Sequence, residues 1–229
     1  EHPKFPQSQF NEELHKNNMI NKISFKYPNI IKILIEHNYI SAIDLISIDK
    51  LKLCPLSIAA IYKPNLLSII YESKLWEDDY ILYEYKNSGK NTIMLLLENG
   101  PNVERKKIVK KMYHDKKITE DIINYQDYQG YNLLWYFSKY YPKIVKFLIR
   151  DQINLSQFLN NEMFNKICYY ASKKTIVTLF NSGYLAKNHI NDTDQYGNNL
   201  LLQASLFRND IMDVIIDSCL INNEAMECT

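Results

Sequence analysis

The fold is decided by the stretch Asp194–Ser218, DQYGNNLLLQASLFRNDIMDVIIDS. It reads as a polar turn closed by Gly197, a short apolar helix over Leu200–Ser205, a polar break, and a second apolar helix over Ile211–Ile216. The same order of features occurs upstream in Asp127–Arg150, DYQGYNLLWYFSKYYPKIVKFLIR. Two copies of one turn–helix–helix unit indicate a chain built from repeats, so the remaining residues can be aligned to them.

The repeat unit recurs along nearly the whole chain. Each copy has an anchor position that is followed by an apolar residue four positions later. The anchors are Lys16, Lys52, Gly89, Gly130, Phe164 and Gly197, with spacings of 36, 37, 41, 34 and 33 residues. A period of this length predicts an all-α solenoid of about six helix-turn-helix repeats, in which each copy covers the apolar stripe of its neighbour.

A second helix is predicted in every copy, because apolar residues recur there at helical spacing. The predicted ranges are Asn29–His37, Asn65–Ser73, Lys106–Tyr113, Lys143–Arg150, Thr175–Gly183 and Asp210–Asp217. Pro28, Pro64 and Pro142 each precede one of these helices. Proline is tolerated at a helix start, since the first N–H groups of a helix have no partner within the helix.

Composition limits the classes of function. The 27 basic and 26 acidic residues nearly cancel, which argues against nucleic-acid and anionic-membrane partners. No apolar run approaches the roughly 18 residues of a membrane span. The four cysteines form no CxxC pair, so we expect a reduced, intracellular chain, in the cytoplasm. The start without Met leads us to expect a trimmed fragment.

Catalytic and metal-binding patterns were not found in the sequence. The five histidines are scattered and none has a cysteine or carboxylate at metal-ligand spacing. There is no glycine-rich phosphate loop and no G-x-S-x-G motif. We therefore expect a protein that is not an enzyme and that holds no cofactor and no metal. A basic run between Lys106 and Lys117 is interpreted as a solvated helix face rather than as a site for an acidic or nucleic-acid partner.

The repeat resembles the ankyrin repeat. The matching residues are the D-x-x-G turns and first helices of Asp127–Leu134 and Asp194–Ala204, and Cys54–Ala60, CPLSIAA, which is similar to the T-P-L-H-x-A-A motif of that family. The resemblance covers an array over residues 16–220, between an N-terminal extension, 1–15, and a tail, 221–229. It is divergent, because Ile93–Leu97 places bulky residues where the family has small ones.

The Ile-, Asn-, Lys- and Tyr-rich composition is similar to that of ankyrin-type proteins from giant DNA viruses that infect amoebae, of the mimivirus type. AT-rich parasites and intracellular bacteria carry similar arrays, so the source stays open.

The resemblance implies a scaffold that binds a protein partner on a concave face made of turn tips and first helices. Aromatic side chains dominate such interfaces when they fill pockets of the partner. The predicted anchors are Tyr128, Tyr131, Trp135, Tyr140, Tyr196 and Phe207. Burial between helices is the alternative for all of them and is favoured for Trp135, while Tyr128 and Tyr196 lie in polar turns.

Two other roles remain open from the sequence. One is a structural or self-assembling component of a viral or host complex, motivated by the aromatic and acidic insert Trp76–Tyr85. That insert is interpreted as a packed loop in preference to a protruding element, because Trp76, Ile81 and Leu82 would be costly to leave in water. The other is a regulatory fragment of a larger protein.

Overall fold

The computed structural model describes residues 12–14, 18–99, 103–184, 188–191, 193 and 197–217. This described part is all-α, with no strand among its residues and isolated β-bridges at Tyr85–Lys90 and Gln126–Asn132. It contains no helix with both the length and the apolar composition needed to cross a membrane. The chain divides into two compact units, residues 1–117 and 118–229.

Unit 1, residues 1–117, consists of short helices joined by turns. They are α1 Met19–Lys26, α2 Pro28–Glu36, α3 Ala42–Ile46, α4 Pro55–Tyr62, α5 Pro64–Tyr71, α6 Thr92–Glu98 and α7 Val103–His114, with a 3₁₀ turn at Asp78–Ile81. Helices α1, α4 and α6 are the first helices of their copies, and α2, α5 and α7 are the second helices.

Unit 2, residues 118–229, follows the same plan. Its described helices are α8 Glu120–Asn124, α9 Leu133–Tyr140, α10 Pro142–Arg150, α11 Asn161–Tyr170, α12 Lys173–Phe180, α13 Asn188–Asn191, α14 Leu200–Phe207 and α15 Met212–Asp217, with 3₁₀ turns at Leu155–Phe158 and Asn209–Ile211. Here α9, α11 and α14 are the first helices, and α10, α12 and α15 are the second helices.

Helices of the same kind pack on one another within each unit. In unit 1, α4 packs against both α1 and α6, and α5 packs against both α2 and α7. In unit 2, α11 packs against both α9 and α14, while α12 packs against α10 and the 3₁₀ turn that leads into α15. A helix with neighbours on several sides must be apolar nearly all round. Accordingly, every residue of α4 from Pro55 to Ala60 is buried.

The first helices begin with one recurring local structure. An amide oxygen accepts the N–H of the residue three positions later at Asn91, Asn132, Asn160 and Asn199, and the Cys54 sulfur does so in α4. Two residues before four of these caps the backbone is left-handed, with φ of 59° at Lys52, 68° at Gly89, 74° at Gly130 and 80° at Gly197. Glycine adopts this conformation freely. A lysine therefore occupies a glycine position in the second copy.

The fifth copy corrects the sequence alignment. Phe164 was taken as its anchor, but this residue lies inside α11 and is fully buried. The cap of α11 is Asn160, so the equivalent of the glycine position is Phe158, which is the last residue of a 3₁₀ turn. The prediction was wrong because this copy has no glycine to fix its register.

The second helices begin and end in similar ways. Pro28, Pro64 and Pro142 are the first residues of α2, α5 and α10, which confirms the predicted role of these prolines. At the other end, three second helices are closed by the same backbone hydrogen bond, in which an N–H donates to the carbonyl five residues earlier. The bonds run from Tyr39 N–H to Leu34 O at 2.8 Å, from Lys117 N–H to Met112 O at 2.9 Å and from Ile153 N–H to Leu148 O at 3.0 Å. This is the Schellman ending, which satisfies carbonyls that the helix leaves open.

Two arginines, the buried Arg105 and the partly buried Arg208, tie consecutive copies together. In unit 1, the Arg105 guanidinium of α7 donates to the carbonyls of Ala60 at 2.8 Å, Ile61 at 2.7 Å and Leu96 at 2.8 Å. These carbonyls lie near the C-terminal ends of α4 and α6, where helix carbonyls lack partners within the helix. In unit 2, Arg208 donates to Cys168 O at 2.6 Å and Tyr169 O at 3.0 Å near the end of α11.

Candidate functional site

The most distinctive surface lies in unit 2, where each first helix ends in an aromatic residue. Helix α9 ends at Tyr140, α11 at Tyr170 and α14 at Phe207. Since these helices pack side by side, their last turns bring the aromatic rings together. We call this surface the aromatic ladder and define it as Tyr131, Trp135, Tyr140, Tyr169, Tyr170 and Phe207.

The rings of the ladder form one continuous chain of contacts. Trp135 meets Tyr170 at 5.5 Å between ring centroids, Tyr170 meets Tyr169 at 4.7 Å, and Tyr169 meets Phe207 at 5.8 Å, all edge to face. At the other end, Tyr131 stacks on Trp135 at 4.1 Å. These separations are those of favourable aromatic pairs, so the rings hold one another in place.

Much of the ladder remains exposed to solvent. Phe207 is 62% exposed, and Tyr169 and Tyr170 are 44% and 45% exposed. Scattered apolar side chains on a surface need no explanation, whereas a contiguous group of large ones marks an interaction site. The exposed members of the ladder form a contiguous group, because ring contacts connect them.

Lys139 lies between three rings of the ladder. Its ammonium is 4.3 Å from the ring centroid of Tyr170, 4.6 Å from that of Trp135 and 5.0 Å from that of Tyr140. A cation over aromatic faces within about 6 Å is attracted by the ring quadrupoles. The lysine side chain is therefore held at the surface by rings of both α9 and α11.

The turn before α9 is built around Asp127, which is buried. Its Oδ1 accepts the N–H groups of Gln129 at 2.9 Å and Tyr131 at 3.0 Å, and its Oδ2 accepts the hydroxyl of Tyr136 at 2.7 Å. Gly130 supplies the left-handed residue that lets the turn close. This network fixes Tyr131 over Trp135, and burial raises the pKa of the Tyr131 hydroxyl.

A second lysine supports the same turn from α11. The Lys166 ammonium lies 4.8 Å from the Tyr131 ring centroid and 3.4 Å from the Gln129 carbonyl oxygen, and it pairs with Glu162 at 2.8 Å. At the far end of the ladder, the Arg208 guanidinium pairs with Asp210 at 2.8 Å. The hydrogen bond from Arg208 lowers the pKa of the Asp210 carboxyl.

The predicted anchors fall into different environments. Tyr128 is 65% exposed at the tip of the turn, and Phe207 is equally open on α14. Tyr131 and Tyr140 are half-buried. Trp135 is only 5% exposed, because Tyr131 covers its face and its Nε1–H donates to Lys166 O at 3.3 Å. Tyr196 lies outside the described residues.

Burial limits what two residues of the first helices can do. Trp135 supports the rings around it and cannot itself enter a pocket of a partner. Ser57, in the first helix of the second copy, is a polar residue that does not reach the surface. Its side chain is buried, since its Oγ accepts the Cys54 N–H at 2.9 Å and completes the helix cap.

Sequence reasoning missed Tyr169 and Tyr170. Both belong to the stretch ICYYAS at the end of α11, and neither was among the predicted anchors. Tyr170 ends its helix as Tyr140 and Phe207 end theirs, but α11 has 10 residues whereas α9 and α14 have 8, so the tyrosines fall outside the repeat register. Alignment on the Asn160 cap would not have found them either, because it matches the buried Cys168 to Tyr140 and Phe207.

Unit 1 carries a smaller version of this arrangement. Phe25 in the last turn of α1 meets Tyr62 at the end of α4, with 5.4 Å between ring centroids. The Lys63 ammonium lies 5.5 Å from the Phe25 ring centroid. Aromatic ends on first helices with a lysine over a ring are therefore a recurring feature of the copies, most extended in unit 2.

The insert between α5 and α6 packs on its own unit. Tyr80 and Ile81 are buried, whereas Leu82 stays exposed. The Tyr80 hydroxyl donates to Ala42 O at 2.7 Å and the Tyr83 hydroxyl to Ile46 O at 3.2 Å. These contacts favour the packed-loop interpretation of the insert.

Three of the six lysines in the basic run between Lys106 and Lys117 form ion pairs with described side chains. Lys107 pairs with Glu104 at 2.8 Å, Lys111 with Glu72 at 2.6 Å and Lys117 with Asp78 at 2.7 Å. Exposed pairs of this kind contribute little to stability. They favour the interpretation of this run as a solvated helix face.

The described part of the chain was searched for metal-binding side chains, for cavities and for a reactive cysteine. No group of three or more His, Cys, Asp or Glu side chains there could hold a metal ion. A groove of about 500 Å³ in unit 1 runs between α2 and α5, and the glutamates lining it, Glu36 and Glu72, pair with lysines. Burial raises the pKa of the Cys168 thiol, which makes it a poor nucleophile.

Comparison of the chain with protein-family models, with curated proteins and with solved structures gave no match. The assignment of a function therefore depends on the geometry of the units and of the aromatic ladder.

Proposed function

We propose that the chain is a non-enzymatic recognition module built from divergent ankyrin-like repeats, and that it captures a protein partner on the aromatic ladder. The observation that carries this proposal is the unbroken chain of ring contacts from Tyr131 to Phe207, with Tyr169, Tyr170 and Phe207 exposed. Large rigid side chains of this kind supply most of the binding energy of protein interfaces.

The helix order supports the repeat part of the proposal. Each unit has three first helices packed in sequence and second helices packed in the same sequence, as expected for stacked two-helix repeats. The glycine-type turn, the asparagine cap and the proline start of the second helix recur in several copies. These are local features that a repeat array needs at every copy.

The shape of the ladder supports a macromolecular partner rather than a small ligand. Small ligands occupy enclosed pockets of about 300–1,000 Å³. The cavity found beside Cys168, Tyr169 and Arg208 has a volume of only about 10 Å³. A row of rings that crosses three helices instead presents an open surface to another chain.

The experiment compares capture by the natural chain and by the triple variant Tyr169→Ala, Tyr170→Ala and Phe207→Ala. Immobilised chains are exposed to extract of the natural host, and bound proteins are quantified by mass spectrometry. We expect the triple variant to lose at least one abundant partner that Tyr27→Ala, a control at a 58% exposed tyrosine of unit 1, retains. Circular dichroism must show equal helix content in all chains.

An unchanged set of captured proteins would remove the ladder from consideration. Light scattering of the natural chain over a range of concentrations tests the alternative of self-assembly. A mass that rises with concentration, and that the triple variant holds at one copy, would assign the ladder to contacts between copies and refute capture of a different protein.

A further inference from the structure

The ammonium group of Lys139 is the starting point, because the described residues give it rings but no counter-charge. Three ring centroids lie within 5.0 Å of it. No carboxylate of the described residues lies within ion-pair distance of Lys139, and none supplies a hydrogen-bond acceptor for its ammonium. Lysine carries three donors, so this group retains its capacity to bind an anion.

The other charges on this face are already matched. Among the described residues of the first helices of unit 2, the charged side chains are Lys139, Glu162 and Lys166. Glu162 pairs with Lys166 at 2.8 Å, and Arg208, which follows α14, pairs with Asp210 at 2.8 Å. The face therefore presents one unmatched positive charge, set in aromatic surroundings.

We infer that the segment of the partner that docks on the aromatic ladder is acidic, with an aspartate or glutamate that binds Lys139 and apolar side chains that cover Tyr170, Tyr169 and Phe207. This inference rests on the proposed function, and it adds the chemistry of the partner. A carboxylate placed here forms a charge-assisted hydrogen bond without displacing an existing ion pair. A basic segment would bring like charges together, which disfavours it.

The position of Lys139 also gives the order of the side chains in the partner. Lys139 contacts rings of α9 and α11, whereas Phe207 lies on α14 at the other end of the ladder. Neighbouring packed helices are about 8–10 Å apart, which is about three residues of a polyproline II chain. An extended segment that crosses α9, α11 and α14 in this order therefore has its acidic residue at one end and its apolar residues after it. Each step from one helix to the next corresponds to about three residues of the segment.

The test uses a library of random peptides displayed on phage and selected on the immobilised full chain. Peptides are retained if their binding is lost on the triple variant Tyr169→Ala, Tyr170→Ala and Phe207→Ala, which makes them specific for the ladder. We expect these peptides to share an Asp or Glu beside apolar residues. Ladder-specific peptides without a shared acidic residue would overturn this inference and leave the proposed function standing. A selection without any ladder-specific peptide would overturn both.

A charge exchange then tests the contact itself with the best selected peptide. Lys139→Met is expected to weaken binding at least tenfold, while Lys146→Met, at an exposed lysine on α10, changes it less than twofold. Lys139→Glu should bind a peptide whose acidic residue is replaced by lysine better than it binds the original peptide. Equal affinity of the natural chain and Lys139→Met, at equal helix content, would refute the assigned pairing.

Discussion

Replacing Arg105 by methionine removes the guanidinium that joins two copies in unit 1 while it keeps most of the apolar stem. Arg105 is 6% exposed, and burial lowers the pKa of its guanidinium, because the charged group loses hydration in this position. In return it satisfies the carbonyls of Ala60, Ile61 and Leu96. The three carbonyls belong to two helix ends whose partial charge is negative, which suits a cation.

The magnitude follows from those three bonds. A buried carbonyl left without a partner costs about 1–3 kcal/mol, so three of them would cost roughly 3–9 kcal/mol if none were resolvated. Removal of the buried charge offsets part of this, because an ion out of water carries a desolvation penalty of several kcal/mol. We therefore expect Arg105→Met to lower the free energy of unfolding of unit 1 by about 2–4 kcal/mol.

The chain contains its own reporters for this assay. It has two tryptophans, Trp76 in unit 1 and Trp135 in unit 2. Urea unfolding is followed by fluorescence in a Trp135→Phe background, so that Trp76 alone reports on unit 1. Lys110→Met, an exposed lysine of the same helix, is the matched control and should change stability by less than about 0.5 kcal/mol.

A loss below about 1 kcal/mol for Arg105→Met would refute the reasoning, since it would mean that water replaces the guanidinium at little cost. Arg105→Lys sharpens the test. An ammonium cannot reproduce the fork that reaches three carbonyls, yet it leaves a charge to bury. It should therefore be at least as destabilising as methionine, and a well-tolerated lysine would contradict the geometry.

Three further predictions concern single positions. Asn132→Ala removes the helix cap to Trp135 N–H at 3.1 Å and the hydrogen bond to Phe158 O at 2.9 Å. The free energy of unfolding of unit 2 should fall by about 1–3 kcal/mol, measured by Trp135 fluorescence. An unchanged unfolding midpoint would contradict this. Lys52→Gly removes a side chain from a residue held at φ 59°, so it should leave stability unchanged or raise it by up to about 1 kcal/mol. Gly130→Ala places a side chain at φ 74° and should lower stability by about 1 kcal/mol. The opposite order in urea unfolding would refute the assignment of these turns. Burial raises the pKa of Tyr80 to about 12, so the folded state holds this proton more tightly than the unfolded state. The contribution of Tyr80 to the free energy of unfolding should be fully present below about pH 10 and should be lost as the pH rises from about 10 to about 12. Tyr80→Phe should make the free energy of unfolding depend less on pH over this range, measured by unfolding at a series of pH values.

Local signals made much of the fold predictable. Pro28, Pro64 and Pro142 restrict their own backbone, and they start helices wherever an apolar stripe follows. Glycine at 89, 130 and 197 marks the turn because few other residues adopt its conformation. The all-α class follows from these signals together, since each acts over a few residues.

What depended on packing between copies was harder to predict. The fifth copy lacks a glycine, and an apolar run such as MFNKICYY fits the repeat in more than one register, so Phe164 was taken for a turn residue. Trp135 was named as an anchor although burial was favoured for it, and its 5% exposure under the Tyr131 ring agrees with burial. The exposure of Tyr169 and Tyr170 depends on how α11 lies between α9 and α14, which no local pattern encodes.

The Arg105 bridge has a consequence for how the chain is made. The carbonyls of Ala60 and Ile61 accept from a guanidinium that lies 45 and 44 residues further along the chain. During synthesis these carbonyls at the end of α4 therefore lack this donor until α7 has left the ribosome. The second copy is thus finished by the third, and synthesis must run a full repeat ahead of completed folding.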